Sequence, residues 1–365
     1  MSFAPTDPAS TPADDTSRGE PGTGTKPVKG GREAKDVRRK ISDFLFRTQV
    51  DGWVRATAWA SLLANSLLIL TGGLVRLTGS GLGCPTWPRC TDDSWTSTAA
   101  MGIHGAIEFG NRLLTFVLTL VAIAAFLAVI RMRKERPDLF RLTLVLGLGI
   151  PLQAVVGGIT VRTGLNPWIV GIHFMLSAAM IYLSAILVNR CRRAGLPEVD
   201  AKEQPGQARH ARGIIRATAL GMAFLTLLIV YLGTLVTGTG PHSGDSGEIA
   251  RHAFDAVVIA RAHALPVYVL VALLVLSLIA GRIVGRNGWP RPIWNAYATV
   301  LCVLVFQAAV GFYQYFNGLP IVAVCLHLVG SATLVAVVAF AVEKAFALTA
   351  DPAAVTTSPV TDPTH

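Results

Sequence analysis

Charged residues are scarce in this chain of 365 residues, of which 15% are Asp, Glu, Lys or Arg and 52% are hydrophobic. A soluble domain carries about 25% charged residues, so the composition excludes an ordinary soluble protein. Apolar runs long enough to cross a bilayer recur along the sequence, and they are continuous rather than alternating. The sequence therefore predicts an all-α integral membrane protein, because a helix satisfies its own backbone hydrogen bonds in lipid.

Large apolar side chains are nearly absent from the N-terminal segment, which is rich in Pro, Gly, Ser, Thr and charge. Such a segment cannot bury a core, so we predict a disordered tail over residues 1–50 and a second one over 348–365. The segment also lacks the apolar core and cleavage site of a signal peptide. The net charge of +10 comes largely from Lys and Arg between the apolar runs. That placement indicates membrane orientation and argues against a nucleic-acid partner.

Eight apolar segments predict eight transmembrane helices. Their ranges are 54–77, 102–130, 140–162, 167–189, 214–237, 262–284, 293–315 and 320–346. Lys and Arg concentrate in the connections after the second, fourth and sixth helices, whereas the opposite connections include several Asp and Glu. By the positive-inside rule, both termini are cytoplasmic in a multi-pass protein of the cell membrane, and the Cys84–Cys90 loop faces outward.

The two halves of the chain, 51–193 and 214–347, resemble each other and are joined by a predicted cytoplasmic linker at 194–213. Four residue pairs recur at a separation of 154: Gln153 with Gln307, Gly157 with Gly311, His173 with His327, and Ser177 with Ser331. A second block recurs at a separation of 161, as between Leu74 and Leu235. Four helices per half preserve orientation, so the sequence predicts two parallel-repeated four-helix bundles.

Four of the eight histidines lie near the outer ends of even-numbered predicted helices. Ionisable residues at membrane depth are costly and usually functional. Two imidazoles on facing helices can hold a haem iron from both sides, and each half supplies one pair: His104 with His173, and His263 with His327. Zinc fits less well, because no cysteine shares these positions. For any single histidine, the simpler interpretation is a polar core residue that hydrogen-bonds a neighbouring helix.

One acidic residue distinguishes the first half from the second. His104, Glu108 and Asn111 share one helix face and Arg112 follows them, whereas the residues after His263 are apolar or aromatic. An acid beside a haem can relay protons, which would assign the chemistry to the first half and electron transfer to the second. The alternative is a structural ion pair between Glu108 and Arg112, one helical turn apart.

Two arginines and two cysteines lie near the outer boundary of the predicted spans. Arg76 and Arg162 are candidates for contacts with haem propionates, and ordinary snorkelling to the interface is the alternative. Cys84 and Cys90 face the oxidising side, so a disulfide is permitted. A structural cap over the first bundle and a redox-active pair both agree with these residues.

Several of these segments together resemble the haem A synthase family over roughly residues 53–346. The segments are TGGLVRLTGSGLGCPTWPRC, IEFGNRLLTFV, PLQAVVGGITV, HFMLS and GTLVTGTGPHSGD. The resemblance implies a membrane oxidoreductase that converts a ring methyl group of haem O to a formyl group by two successive oxidations, for the cofactor of cytochrome oxidases. It implies a resident haem b between His263 and His327, and a haem O site beside His173 in the first half.

The same resemblance implies roles for residues near the outer loop and for other proteins. Glu108 matches the essential acid of the family, and Cys84 and Cys90 match a family disulfide. Haem O synthase is implied as a partner, together with an electron donor that no motif identifies. A bis-histidine haem b electron-transfer protein is the rival function, and it would have a dispensable Glu108. A transporter built from the same repeat would hold no haem.

The chain departs from the family pattern in the second predicted helix. The pattern Glu-x-x-His-Arg reads Glu108-Phe-Gly-Asn111-Arg112 here, so the usual histidine is missing. We therefore predict that His104, one turn before the acid, is the partner of His173 at the substrate haem. Asn111 and Arg112 are predicted to line the same substrate site.

Overall fold

The computed structural model describes residues 29–194, 209–242, 244–245, 249–283 and 289–349, and the side chains of these except 29–35 and 209–210. Nine α-helices lie within these ranges. They are α1 Lys29–Leu45, α2 Gly52–Leu77, α3 Gly102–Val129, α4 Pro137–Arg162, α5 Pro167–Arg193, α6 Arg209–Thr239, α7 Ala256–Ile283, α8 Arg291–Phe316 and α9 Ile321–Leu348. The predicted tails at 1–28 and 350–365, and linker residues 195–208, lie outside the described residues.

Eight of these helices, α2 to α9, are long and apolar enough to cross a membrane. The prediction of eight spans is therefore confirmed, and the protein is an all-helical multi-pass membrane protein. The sixth span was predicted to begin at residue 262, whereas α7 begins at Ala256. The reason is Asp255, whose Oδ1 accepts hydrogen bonds from the backbone N–H groups of Val257 and Val258, both at 2.9 Å. Such a cap starts a helix before its most apolar stretch.

The first helix differs from the prediction of a disordered tail over residues 1–50. α1 covers Lys29–Leu45 and is rich in Lys, Arg, Glu and Ala, which have high helix propensity. Arg39 and Asp43 form an exposed ion pair one turn apart, with 3.8 Å between Nε and Oδ2. A lack of apolar residues excludes a buried core but does not exclude a helix, because propensity and side-chain pairs act without burial.

The eight membrane helices pack in two groups of four. In the first group, α2 contacts α3 and α5, and α4 contacts the same two helices. In the second group, α6 contacts α7 and α9, and α8 contacts α7 and α9. Each group is thus a closed ring of helices in chain order with its own buried core. α9 also contacts α2 and α5, and α5 contacts α6, so the rings lie side by side. A symmetric parallel repeat stays a prediction.

One end of the bundle, here called the cysteine-loop end, is formed by the connection 78–98 and by the described residues of the connection after α6, which are 240–242, 244–245 and 249–255. The backbone N–H of Gly81 donates to the Gly244 carbonyl at 2.7 Å. Next to this bond, Ser80 and Asp245 form an isolated antiparallel bridge. These backbone contacts join the connection after α2 to the connection after α6.

A polar network lies at the opposite end of the bundle and joins α4, α5 and α9. Glu343 on α9 accepts hydrogen bonds from Arg190 Nε at 2.9 Å and from Asn189 Nδ2 at 3.1 Å. Arg190 also approaches Asp138, with 3.7 Å between Nη1 and Oδ2. The pairing satisfies a glutamate whose side chain is only 13% exposed.

Candidate functional site

Two histidines face each other inside the second ring. His263 on α7 and His327 on α9 have ring centroids 6.5 Å apart, with an angle of 73° between the ring planes. The Nδ1 atoms of both rings are buried and have no hydrogen-bond partner. Because a metal–imidazole bond is about 2 Å long, this separation leaves room for one metal atom between the rings. These two histidines could therefore bind one metal atom from opposite sides.

Three of the four predicted histidines pack against a glycine on the neighbouring helix. A Cβ placed on Gly233 of α6 would lie 3.2 Å from Cε1 of His263, and one on Gly311 of α8 would lie 3.5 Å from Cε1 of His327. In the first ring, a Cβ on Gly157 of α4 would lie 3.3 Å from Cε1 of His173. The missing side chains let each imidazole lie close to the adjacent backbone.

The histidines on α5 and α9 have similar backbone surroundings. Ser177 Oγ donates to the His173 carbonyl at 3.1 Å, and Ser331 Oγ donates to the His327 carbonyl at 2.8 Å. In the first ring, Gln153 on α4 also donates to Ser177 Oγ at 2.6 Å. These bonds hold the histidine-bearing turn of each helix in place.

His104 has different surroundings from the other three histidines. It lies in the first turn of α3 and is exposed, and its Nδ1 is 2.8 Å from Ser80 Oγ in the cysteine-loop end. No ring contact joins His104 to His173 in the part of the chain that the structure describes. No direct contact between these two histidines therefore supports their predicted pairing at the substrate haem.

Asn111 reaches across to α2 from the middle of the first ring. Thr71 Oγ1 donates to Asn111 Oδ1 at 2.8 Å, and both side chains are partly buried. Thr71 is not among the residues predicted to line the site. The signal that could have found it is a hydroxyl side chain inside an apolar span, since such groups commonly hydrogen-bond a neighbouring helix.

Glu108 is held by the cysteine loop and by Arg112. Its side chain is 7% exposed, and Oε2 accepts a hydrogen bond of 2.6 Å from the backbone N–H of Cys84. Oε1 accepts two more from Arg112, from Nη2 at 2.6 Å and from Nε at 3.2 Å. The Glu108–Arg112 pair considered as an alternative is therefore present. Arg112 also donates to the carbonyls of Cys84 and Thr86, so the pair anchors the loop to α3.

Cys84 and Cys90 form a disulfide, and both residues are fully buried. The loop that they close also contacts α4, because the ring of Trp87 packs against Gly158. Arg162 at the end of α4 donates from Nη2 to the Trp87 carbonyl at 3.1 Å. The disulfide loop thus covers the first ring between α3 and α4.

The two arginines predicted to contact propionates both lie at the cysteine-loop end. Arg76 donates from Nε to the His242 carbonyl at 2.6 Å and from Nη2 to the Thr237 carbonyl at 2.7 Å. Arg162 is exposed and has its guanidinium 5.7 Å from the centre of the Trp87 ring. Arg76 therefore joins α2 to the connection after α6, while Arg162 remains more accessible.

Comparison with known proteins identifies the family. Residues 55–242, which include most of α2 and all of α3 to α6, match the COX15-CtaA family, described as cytochrome oxidase assembly protein. The chain belongs to this family. The matched region contains Glu108, the disulfide loop and His173 of the first ring, together with α6 of the second ring.

Similar proteins named "Heme A synthase" occur in several bacteria. One from Methylobacterium radiotolerans is 27% identical over 327 residues, which cover 76% of this chain and 85% of the relative. One from Geobacillus kaustophilus is 28% identical over 163 residues, or 44% of this chain and 50% of the relative. One from Bradyrhizobium sp. is 32% identical over 215 residues, or 49% and 56%. The chain therefore aligns with about half the length of two of these three relatives.

A multi-ligand metal site is absent from the described part of this family member. No group of three or more His, Cys, Asp or Glu side chains converges there in a way that could hold a metal ion. The histidines inside the two rings instead provide two imidazoles in the second ring and one in the first. Such a donor set suits an iron whose other ligands come from a porphyrin, and it does not suit tetrahedral zinc.

Proposed function

We propose that this protein is a haem A synthase, which oxidises a ring methyl group of haem O to a formyl group for the cofactor of cytochrome oxidase. The observation that carries the proposal is the difference between the two rings of this family member. The second ring has a facing pair of imidazoles, His263 and His327. The first has one partly buried imidazole, His173, whose Nδ1 atom is buried, together with the buried Glu108 and the disulfide loop.

The second ring is proposed to be the electron-transfer side. His263 and His327 would hold haem b, which supplies one-electron transfer when bound. Gly233 and Gly311 support this assignment, since a side chain at either position would push against a ligand imidazole. The two buried Nδ1 atoms without partners leave both rings free to settle on a metal.

The first ring is proposed to be the substrate side. His173 would hold haem O, with Asn111 and Arg112 beside it. Glu108 would act as the general base and acid. Each of the two oxidations would convert one C–H bond of the methyl group to a C–OH bond, with dioxygen as the oxidant and with two electrons and two protons from the donor side, so that the second oxygen atom leaves as water. After both oxidations the methyl carbon is a geminal diol. The Glu108 carboxylate takes the proton from one hydroxyl and returns it to the other, which leaves as water, so that the aldehyde remains.

The cysteine-loop end would cover the substrate site. The N–H of Cys84 and the guanidinium of Arg112 both donate to Glu108 and fix the position of its carboxylate under the loop. Of the two arginines predicted to contact propionates, Arg162 is the better candidate, since Arg76 already donates to two carbonyls. The disulfide would keep this cover closed during turnover.

The chain is proposed to lie in the cell membrane with both termini in the cytoplasm. Arg131, Arg133 and Lys134 after α3, and Arg192 and Arg193 in the last turn of α5, lie at the end opposite the cysteine loop. The positive-inside rule assigns that end to the cytoplasm, and the disulfide suits the oxidising side. Haem O synthase would supply the substrate, and a separate electron donor would serve the second ring.

Haem extraction and chromatography from a host that makes haem O, with and without this protein, tests the proposal. We expect haem A only when the protein is present, and we expect Glu108→Gln to abolish it. Glu343→Gln is the matched control, because it changes another buried glutamate at the opposite end of the bundle. Haem b on the purified protein without haem A or hydroxylated haem O in the extract would instead establish the electron-transfer function.

A further inference from the structure

We infer that Asn111 occupies, in the first ring, the position that the ligand histidine His263 occupies in the second. The iron of a haem in the first ring then has one protein ligand, His173, and an open axial position on the side of α3. This inference rests on the proposed function and adds the ligand set of its substrate site.

The α5 and α9 sides of the two rings correspond residue by residue. His173 and His327 are separated by the same 154 residues as Pro167 and Ile321, at which their helices begin. In each case a serine one turn later donates to the histidine carbonyl, and a glycine of the preceding helix lies against the imidazole. His173 is therefore the first-ring equivalent of His327.

The sides of the two rings that lie opposite His173 and His327 can be compared through α2 and α6. Gly72 on α2 and Gly233 on α6 are separated by 161 residues, the same separation as Leu74 and Leu235. In the second ring the His263 imidazole lies against Gly233. In the first ring, nothing lies within 4 Å of a Cβ placed on Gly72.

Asn111 is the side chain of α3 that contacts α2 beside Gly72. It bonds Thr71, the residue next to Gly72, at 2.8 Å. An asparagine side chain is shorter than an imidazole and ends in an amide that is a poor iron ligand. Gly72 therefore lacks the imidazole contact that Gly233 makes with His263 in the second ring.

His104 lies at a different position along the axis of α3. It precedes Asn111 by seven residues, and at 1.5 Å of rise per residue this is about 10 Å closer to the cysteine-loop end. Its ring is fixed there by Ser80, and its side chain is exposed rather than turned into a buried space. Of these two residues, it is Asn111 that lies beside the Thr71–Gly72 turn of α2.

Carbon monoxide binding to the reduced, purified protein tests the inference, because carbon monoxide needs an open axial position on ferrous iron. The full-length protein is saturated with iron protoporphyrin IX, reduced and titrated with carbon monoxide while the absorption spectrum is recorded. We expect one of the two bound haems to bind carbon monoxide. Asn111→His closes that site, so the carbon monoxide signal disappears while the haem content is unchanged.

Two further variants give the matched controls. His263→Asn opens the second ring in the same way, so both haems bind carbon monoxide, and His104→Ala leaves the signal of the parent protein unchanged. The low-spin spectrum of the His263–His327 haem reports that Asn111→His is folded. The inference is overturned if the parent binds no carbon monoxide and His104→Ala gains it. A protein that binds no porphyrin at all would overturn the proposed function itself.

Discussion

The carboxylate of Glu108 accepts a hydrogen bond of 2.6 Å from the backbone N–H of Cys84, a half-cystine of the disulfide loop. The acid proposed to do chemistry and the loop that covers it are therefore one structural unit. Anything that loosens the loop changes the position of the carboxylate. Arg112 strengthens this unit, because it binds both the carboxylate and the loop carbonyls.

Removal of the disulfide is expected to destabilise the protein and to lower haem A formation. Replacing both cysteines, Cys84→Ser with Cys90→Ser, frees a seven-residue ring and removes roughly 2 kcal/mol of stability by the chain-entropy relation. Thermal unfolding in detergent measures the first effect and haem chromatography the second. Cys302→Ser is the control, since Cys302 is a free, exposed cysteine on α8. Unchanged haem A formation in the double variant would refute the coupling between loop and carboxylate.

Loss of the arginine that binds Glu108 is expected to cost about 2 kcal/mol of unfolding free energy, since a buried carboxylate loses two charge-assisted hydrogen bonds. Arg112 is 22% exposed, so solvent screening keeps the effect below that of a fully buried ion pair. A double-mutant cycle of Arg112→Gln and Glu108→Gln, followed by chemical denaturation, measures the coupling. Additive effects would show that the pair contributes little.

A small increase in side-chain size beside a histidine is expected to reduce haem binding in the first ring. The Cβ introduced by Gly157→Ala would lie 3.3 Å from Cε1 of His173, so the ring must move by a few tenths of an ångström. Gly147→Ala makes the same change on the same helix, where a Cβ meets nothing within 4 Å. The ratio of haem to protein in the purified variants measures the effect. Equal ratios would show that the imidazole tolerates the displacement.

Acid is expected to destabilise the connection between α6 and α7 through His252. Burial, and secondarily the nearby Arg76 guanidinium, lower the pKa of His252 below its ordinary value. A lowered pKa means that the unfolded chain binds a proton first, so stability is complete above about pH 6.5 and falls as the pH decreases below it. Thermal unfolding between neutral and mildly acidic pH measures the loss, and His252→Gln should flatten it relative to the parent. A parallel decline in both proteins would exclude His252 as its source.

The sequence predicts much of the fold and part of the site because lipid restricts both. A span needs a long apolar run, which is visible in the residues themselves, and all eight spans were found in this way. A histidine inside such a run is costly, so His173, His263 and His327 stand out without a structure. Helix α1 was missed because composition indicates whether a core can form, whereas a helix also depends on propensity and local pairs.

The choice between His104 and Asn111 shows where sequence reasoning ends. The two residues are seven positions apart, about two helical turns, so they share one face of α3 and periodicity cannot separate them. Their levels in the bundle are set by contacts with other elements. Ser80 holds His104 at the cysteine-loop end, while Thr71 holds Asn111 beside α2.

The amino-acid sequence by itself determined that this is a membrane protein of eight helices with buried histidines, because hydropathy and helical period are local properties of the chain. Only the tertiary structure decided that Glu108 is bonded to the disulfide loop and that His263 faces His327. Those relationships join residues 24 and 64 positions apart. They depend on how helices pack side by side and how connections fold over their ends, and no local pattern of residues encodes that packing.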